Sequence, residues 1–158
     1  MGSKNEGYEC LQYLLEQGHE VLAVVTVPDP PKHLCWYKLV RELAVERKLP
    51  IFIPQKMKDP QFREAMLHLR PKAIFSVNFD KIIPKEILDL AQYNINFHGG
   101  ILPQYKGCLS GAWSIINNEK ETAVTAHIME PTIDTGEIVG EKRVTITAED
   151  TGRILYDK

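Results

Sequence analysis

Apolar positions along the chain alternate between a helical and a strand period. Tyr8, Leu11, Leu14 and Leu15 share one helical face, and Gly18 stands where a helix C-cap is expected. Residues 21–27 (VLAVVTV) form a short, continuous, β-branched run, as in a strand buried on both faces of a parallel sheet. After the turn Pro28-Asp29-Pro30-Pro31, the positions Trp36, Leu39, Val40, Leu43 and Ala44 follow at amphipathic spacing and predict a helix. Ile51 to Ile53 reads as a strand between two prolines, Phe62 to Leu69 as a helix ended by Pro71, and Lys72 to Asn78 as another buried strand. Pro84 opens a short helix within residues 82–90, and Asn94 to His98 is the next strand. A Gly- and Pro-containing loop, Gly99 to Gly107, precedes a helix around Trp113 to Ile116. Two strands follow, Ala123 to Met129 and Glu137 to Ile146, and a last helix begins near Asp150.

Strands alternating with helices imply βαβ crossovers, so the fold class expected is α/β: a Rossmann-like, doubly wound, mostly parallel sheet. Such a sheet opens with a strand that runs through a Gly-rich turn into a helix. Here the turn Gly2-Ser3-Lys4-Asn5-Glu6-Gly7 and its helix stand without a preceding strand, and the chain stops inside its last helical pattern. The expectation is a single catalytic domain over residues 1–158, lacking its first strand and cut short at both ends.

Composition adjusts this picture only slightly. The 158 residues match the prior of about 150 per domain, and 44% hydrophobic with 25% charged residues excludes a disordered tail or a coiled coil. No apolar run reaches the roughly 20 residues of a membrane span, and no signal peptide is visible, so a soluble, cytoplasmic protein is expected. The net charge is −2, with scattered lysines and arginines, which weighs against nucleic acid as a partner. The three cysteines, Cys10, Cys35 and Cys108, lack metal spacing and fit reduced thiols. No zinc-like constellation surrounds His98 or His127, so no metal is expected.

The chemistry concentrates between Tyr93 and Gly140. Asn96 and His98 lie two apart on a strand, project to one face, and sit at a carboxyl end, where open α/β sheets bind ligands. An amide and an imidazole aimed at one point can stabilise an oxyanion and move a proton. Asp134, in the turn Thr132-Ile133-Asp134-Thr135-Gly136, is the carboxylate that could complete the set. These residues alone leave two readings open: an acyl-transfer site, or a structural histidine beside a turn-capping aspartate.

Three blocks, Asn96-Phe97-His98-Gly99-Gly100-Ile101-Leu102-Pro103-Gln104-Tyr105-Lys106-Gly107, Thr122 to His127, and Ile133-Asp134-Thr135-Gly136, resemble in order and spacing the signature of the folate-dependent formyltransferases. The resemblance implies transfer of a formyl group from 10-formyltetrahydrofolate, as co-substrate, to an amine. Asn96 and protonated His98 would stabilise the oxyanion, and Asp134 would favour the charged imidazole and help remove the amine proton. The folate would lie against Phe79, Asp80, Ile82 and Ile83 and against Thr132 and Ile133. Gly99, Gly100, Tyr105 and Lys106 would face the acceptor.

Within that family, the Gly99-Gly100 pair and the run Gly107 to Trp113 resemble the amino-sugar N-formyltransferases. The acceptor expected is thus a nucleotide-linked amino sugar, a small molecule, with no nucleic-acid or membrane partner and homodimerisation left open. The alternatives are a glycinamide ribonucleotide or methionyl-tRNA formyltransferase, a formyltetrahydrofolate hydrolase, or a non-catalytic folate-binding fragment. Lys106 replaces the arginine more usual at its place and Gly111 a common proline, so the acceptor loop departs from the pattern.

Overall fold

The computed structural model describes the backbone of residues 1–158 and every side chain except that of Lys32. The chain divides into two compact units, Met1–Asn94 and Ile95–Lys158.

The first unit carries helices α1 (Lys4–Glu16), α2 (Val40–Glu46), α3 (Pro60–Leu69) and α4 (Lys85–Leu88) and strands β1 (Val24–Val25), β2 (Ile51–Phe52) and β3 (Ala73–Val77). Strands β1 and β2 pair in parallel, Val24 opposite Ile51 and Val25 opposite Phe52. The core joins Leu11 of α1, Val24 of β1, and Val40, Leu43 and Ala44 of α2, with Tyr8, Leu15, Val21, Leu49 and Ile51 packed around them. Its helical members, Tyr8, Leu11, Leu15, Val40, Leu43 and Ala44, are positions that the helical period selects. The caps follow the sequence as well: the Asp59 carboxylate accepts from the Gln61 N–H at 2.9 Å, and Pro60 opens α3.

Two boundaries differ from expectation. The predicted helix from Trp36 begins only at Val40, because Leu39 is extended. Trp36 packs edge-on against Tyr37 at 5.3 Å and is 54% exposed, so the first half of the apolar period never reaches the core. The strand expected over residues 21–27 forms a ladder only at Val24–Val25, flanked by N–H bonds from Val24 to the Pro50 carbonyl and from Thr26 to the Phe52 carbonyl.

The strand expected before α1 has a counterpart in the first three residues. Gly2 bridges Val77 in parallel and donates its N–H to the Val25 carbonyl at 2.9 Å. Val77 donates to the Met1 carbonyl at 3.0 Å, and Ser3 to the Val77 carbonyl at 3.3 Å. Met1 to Ser3 thus satisfy backbone groups of both β1 and β3 that would otherwise lack a neighbour.

Strand β4 (Tyr93–His98) leads into the second unit, which adds α5 (Ser110–Ile116), β5 (Glu121–Ile128), β6 (Ile138–Thr145) and α6 (Gly152–Asp157). Pairing here is antiparallel: Asn96 lies opposite His127 and His98 opposite Thr125 on β5, while β5 and β6 pair from Glu121 with Thr145 to His127 with Ile138. The sheet expected to be mostly parallel thus has antiparallel pairing from β4 through β6. Residues 129–137 link β5 to β6 directly and are too few for a crossover helix, which requires antiparallel strands. The architecture is mixed α/β.

Candidate active site

Strand alternation and register assemble the second unit's polar cluster. Asn96 and His98, two apart on β4, face β5, whose own inward positions are Thr125 and His127. Both histidines are buried, and Thr125 is fully so. Asp134 arrives from the β5–β6 connection with φ +50, a left-handed conformation costly for a non-glycine residue and frequent at functional sites. Its carboxylate is nine-tenths buried and lies between the rings: Oδ2 is 3.4 Å from His98 Nδ1, and Oδ1 is 3.3 Å from His127 Nε2. The Gly107 N–H donates to Oδ2 at 2.8 Å, and Asn96 Nδ2 lies 3.5 Å from Oδ1 and 3.1 Å from His127 Nε2.

Backbone groups hold this constellation. His98 Nε2 lies 2.5 Å from the Tyr105 carbonyl, and the Thr125 hydroxyl donates to the Gly100 carbonyl at 2.7 Å. The Ser110 hydroxyl donates to the Gly99 carbonyl at 2.6 Å, clamping the glycine pair from α5. Gly100 has no room for a side chain: a Cβ there would stand 2.6 Å from Ser110 Cβ and 3.0 Å from His98 Nε2. Gly136 is tighter still, since a Cβ would meet the Ile128 carbonyl oxygen at 1.8 Å. The Asp-Thr-Gly turn therefore needs its glycine to bring Asp134 back over β5.

The loop of residues 99–107 carries the remaining candidates. The Tyr105 hydroxyl donates to Glu119 at 2.5 Å and accepts from Asn117 at 3.1 Å; the bond to Glu119 raises the phenol above its ordinary pKa, while Asn117 acts in the opposite direction. Lys106 is exposed. Thr132 and Ile133 are exposed beside Asp134, Ile133 at 59%. In the first unit, Phe79 is half-buried, Asp80 is exposed, and Ile82 stands 68% exposed above the buried Ile83. That unit also holds a recess of about 160 Å³ beside Ser3, Lys4, Asp29, Tyr37 and Asp80, at the turn before α1. Among the described residues, no cluster of His, Cys, Asp and Glu is arranged for a metal.

Residue-by-residue reasoning from the sequence singled out Asn96, His98 and Asp134, which the second unit brings together. It gave no role to His127, Thr125, Ser110 or the Gly107 N–H. A signal for two of them was available: Ala123, Thr125 and His127 alternate along β5, and a polar residue on such a face must find a partner.

A family model for formyl transferases matches residues 2–158. The chain belongs to the formyl transferase family. The methionyl-tRNA formyltransferase of Pelotomaculum thermopropionicum is 38% identical over 161 residues, covering 99% of this chain and 51% of that protein. The chain thus spans about half the length of the curated relatives it matches. Phosphoribosylglycinamide formyltransferase from Bacillus halodurans superposes with a TM-score of 0.82 at 20% identity, over 99% of this chain and 84% of the other, and shows the shared fold. WlaRD, a sugar 3N-formyl transferase solved in the presence of dTDP and 5-N-formyl-THF, gives a TM-score of 0.78 at 27% identity, over 99% of this chain and 54% of its own. The Rossmann-like α/β fold expected of a formyl transferase is thereby established. The amino-sugar acceptor is not: the curated relatives at 33–38% identity carry the name methionyl-tRNA formyltransferase.

Proposed function

We propose that the chain is the formyl-transfer part of a folate-dependent N-formyltransferase, with Asn96, His98 and Asp134 as its reacting groups. The observation that carries the reading is the Asp134 carboxylate, buried and placed within 3.5 Å of Asn96 Nδ2 and of both imidazoles. A formyltetrahydrofolate donor supplies an activated formyl carbon for attack by an amine. Asn96 and His98 stabilise the negative charge that develops on the formyl oxygen, and the Asp134 carboxylate stands 3.4 Å from His98 Nδ1 to orient the ring. As the new C–N bond forms and the bond to the folate nitrogen breaks, the amine loses a proton, which His98 and Asp134 relay toward the leaving nitrogen.

His98 Nε2–H is bonded to the Tyr105 carbonyl, so residues 99–107 must yield that bond before it can serve a substrate oxygen. Exposed Ile82 offers apolar surface in the first unit, and exposed Ile133 with Thr132 does so in the second. We propose residues 1–158 as part of one formyltransferase catalytic domain and Gly99, Gly100, Tyr105 and Lys106 as its acceptor side.

Methionyl-tRNA is the acceptor that the relatives' names favour, and we take it as the leading reading. A nucleotide-linked amino sugar remains the second, supported by the 27% identity to a sugar 3N-formyl transferase and by the net charge of −2. The discriminating experiment measures formyl loss from 10-formyltetrahydrofolate with methionyl-tRNA, dTDP- and UDP-amino sugars, glycinamide ribonucleotide and water alone. Transfer to methionyl-tRNA that His98→Ala abolishes is the expected result. Full activity in His98→Ala would sink the mechanism, and a sugar-only response would replace the acceptor.

A further inference from the structure

His127 belongs to none of the roles above, yet its contacts determine where its protons sit. Nδ1 lies 2.8 Å from the Ile128 carbonyl oxygen. A carbonyl can only accept, so Nδ1 carries the hydrogen. In the neutral ring Nε2 is then a bare lone pair, and two groups face it: Asn96 Nδ2 at 3.1 Å and Asp134 Oδ1 at 3.3 Å. A carboxylate oxygen repels that lone pair, whereas the Asn96 amide nitrogen donates to it.

The same logic applied to His98 gives the opposite assignment. Its Nε2 carries the hydrogen that the Tyr105 carbonyl accepts, and its Nδ1 faces Asp134 Oδ2 at 3.4 Å with no amide donor on it. His98 Nδ1 is therefore the ring nitrogen that faces the Asp134 carboxylate without an amide between them. The two imidazoles that flank Asp134 are distinguished by Asn96, which engages only one of them.

Resting on the formyl-transfer reading, we propose that His127 is a positioning residue for Asn96: its Nε2 lone pair holds one Asn96 amide hydrogen, so the second is aimed at the substrate oxygen and His98 is left as Asp134's partner. The geometry favours this division of labour. The Asn96 amide nitrogen is held at 3.1 Å by a fully formed acceptor, while its contact with Asp134 Oδ1 at 3.5 Å is weak enough to be surrendered. Opposed places on β4 and β5 set the pair, so no side chain has to search for the other. Without His127, the amide could rotate and present its carbonyl oxygen instead, which would repel a developing oxyanion.

The test has a spectroscopic arm and a kinetic arm, both on the intact protein. Nitrogen-15 NMR of the histidine rings at neutral pH is expected to show His127 as the neutral Nδ1–H tautomer, with its Nε2 resonance shifted in Asn96→Ala. An Nε2–H tautomer, a doubly protonated ring, or a resonance indifferent to Asn96→Ala overturns the proposal. In the kinetic arm, His127→Leu removes the acceptor and is expected to lower kcat by about 10- to 100-fold, as a small misplacement of a reacting group does, with little change in KM for the formyl donor. His127→Gln, whose carbonyl oxygen can accept from Asn96, should restore most of kcat. Equal loss in both variants, or an unchanged kcat in His127→Leu, rejects the role. If the wild-type chain formylates no amine, the functional reading fails, and the tautomer with its Asn96 dependence decides the hydrogen-bond assignment by itself.

Discussion

Residues 1–94 and residues 95–158 bury different chemistry. The first unit closes mainly on aliphatic side chains, Leu11, Val24, Val40 and Leu43 with Ala44, gathered from two helices and a strand, with the hydroxyls of Ser3, Thr26 and Ser76 also buried. In the second, the buried residues among those described include the hydroxyls of Ser110, Ser114, Thr122 and Thr125 and the rings of His98 and His127, with Leu102 and Ala123 as buried hydrophobics. Aliphatic packing is non-directional and tolerates small displacements. A polar core holds together only when each donor meets an acceptor at hydrogen-bond geometry. The second unit is built that way, from Thr125 on the Gly100 carbonyl to Gly107 on Asp134, so its donors and acceptors are held in fixed directions.

The contrast breaks most visibly at Asp134. Asp134→Asn keeps an oxygen for the Gly107 N–H but removes the charge between the two imidazoles. Formyl transfer should fall by about 10²- to 10⁴-fold with little change in Tm. Activity within a few-fold of wild type would show that the polar cluster is structural only. The counterpart in the first unit is Leu43→Ala, at a position 2% exposed. It should cost about 2–5 kcal/mol in denaturant unfolding, with kcat unchanged well below the lowered Tm. A loss of kcat without loss of stability would erase the distinction between the units.

The same contrast explains what could be read from the sequence. Helices α1 and α3 and the buried half of α2 were legible because aliphatic positions repeat at 3.6 residues. The period over-extended at Trp36, where nothing local reveals that the ring meets Tyr37 and not the core. Asn96, His98 and Asp134 stood out because those residue types at strand and turn positions suit acyl transfer. The supports did not, since Gly107, Tyr105 and Ile128 act through backbone atoms that carry no residue code. His127 needed the β4–β5 register, a long-range property, before its partner was visible.

Smaller effects sharpen the comparison inside the polar unit. Gly100→Ala places a Cβ 2.6 Å from Ser110 Cβ, so either the Ser110–Gly99 bond or the His98 ring must move. A destabilisation of about 1–3 kcal/mol is expected, accompanied by loss of kcat. Thr125→Val keeps the shape and removes only the donor to the Gly100 carbonyl, at a cost near the lower part of the roughly 1–3 kcal/mol range for an unsatisfied buried acceptor. Equal effects of Thr125→Val and Thr125→Ala on stability would mean that volume, not the hydrogen bond, matters there.

The smallest effect lies outside the polar core, at the end of the second unit. Asp150 accepts from the Lys158 ammonium at 2.5 Å and from the Thr147 N–H at 2.8 Å, and these bonds, that of Lys158 first, hold its pKa below the usual 3.8. Because the folded value is depressed, its stabilisation is fully present above the ordinary carboxylate range and disappears as pH falls through the folded value. The protection of the Thr147 amide, its exchange rate taken relative to the intrinsic rate at each pH, should therefore fall on acidification in wild type, and Asp150→Asn should bring that lower protection to neutral pH while kcat stays unchanged. A protection indifferent to both would show that this ion pair contributes nothing, and a change in kcat would mean that the catalytic geometry depends on more than its buried hydrogen bonds.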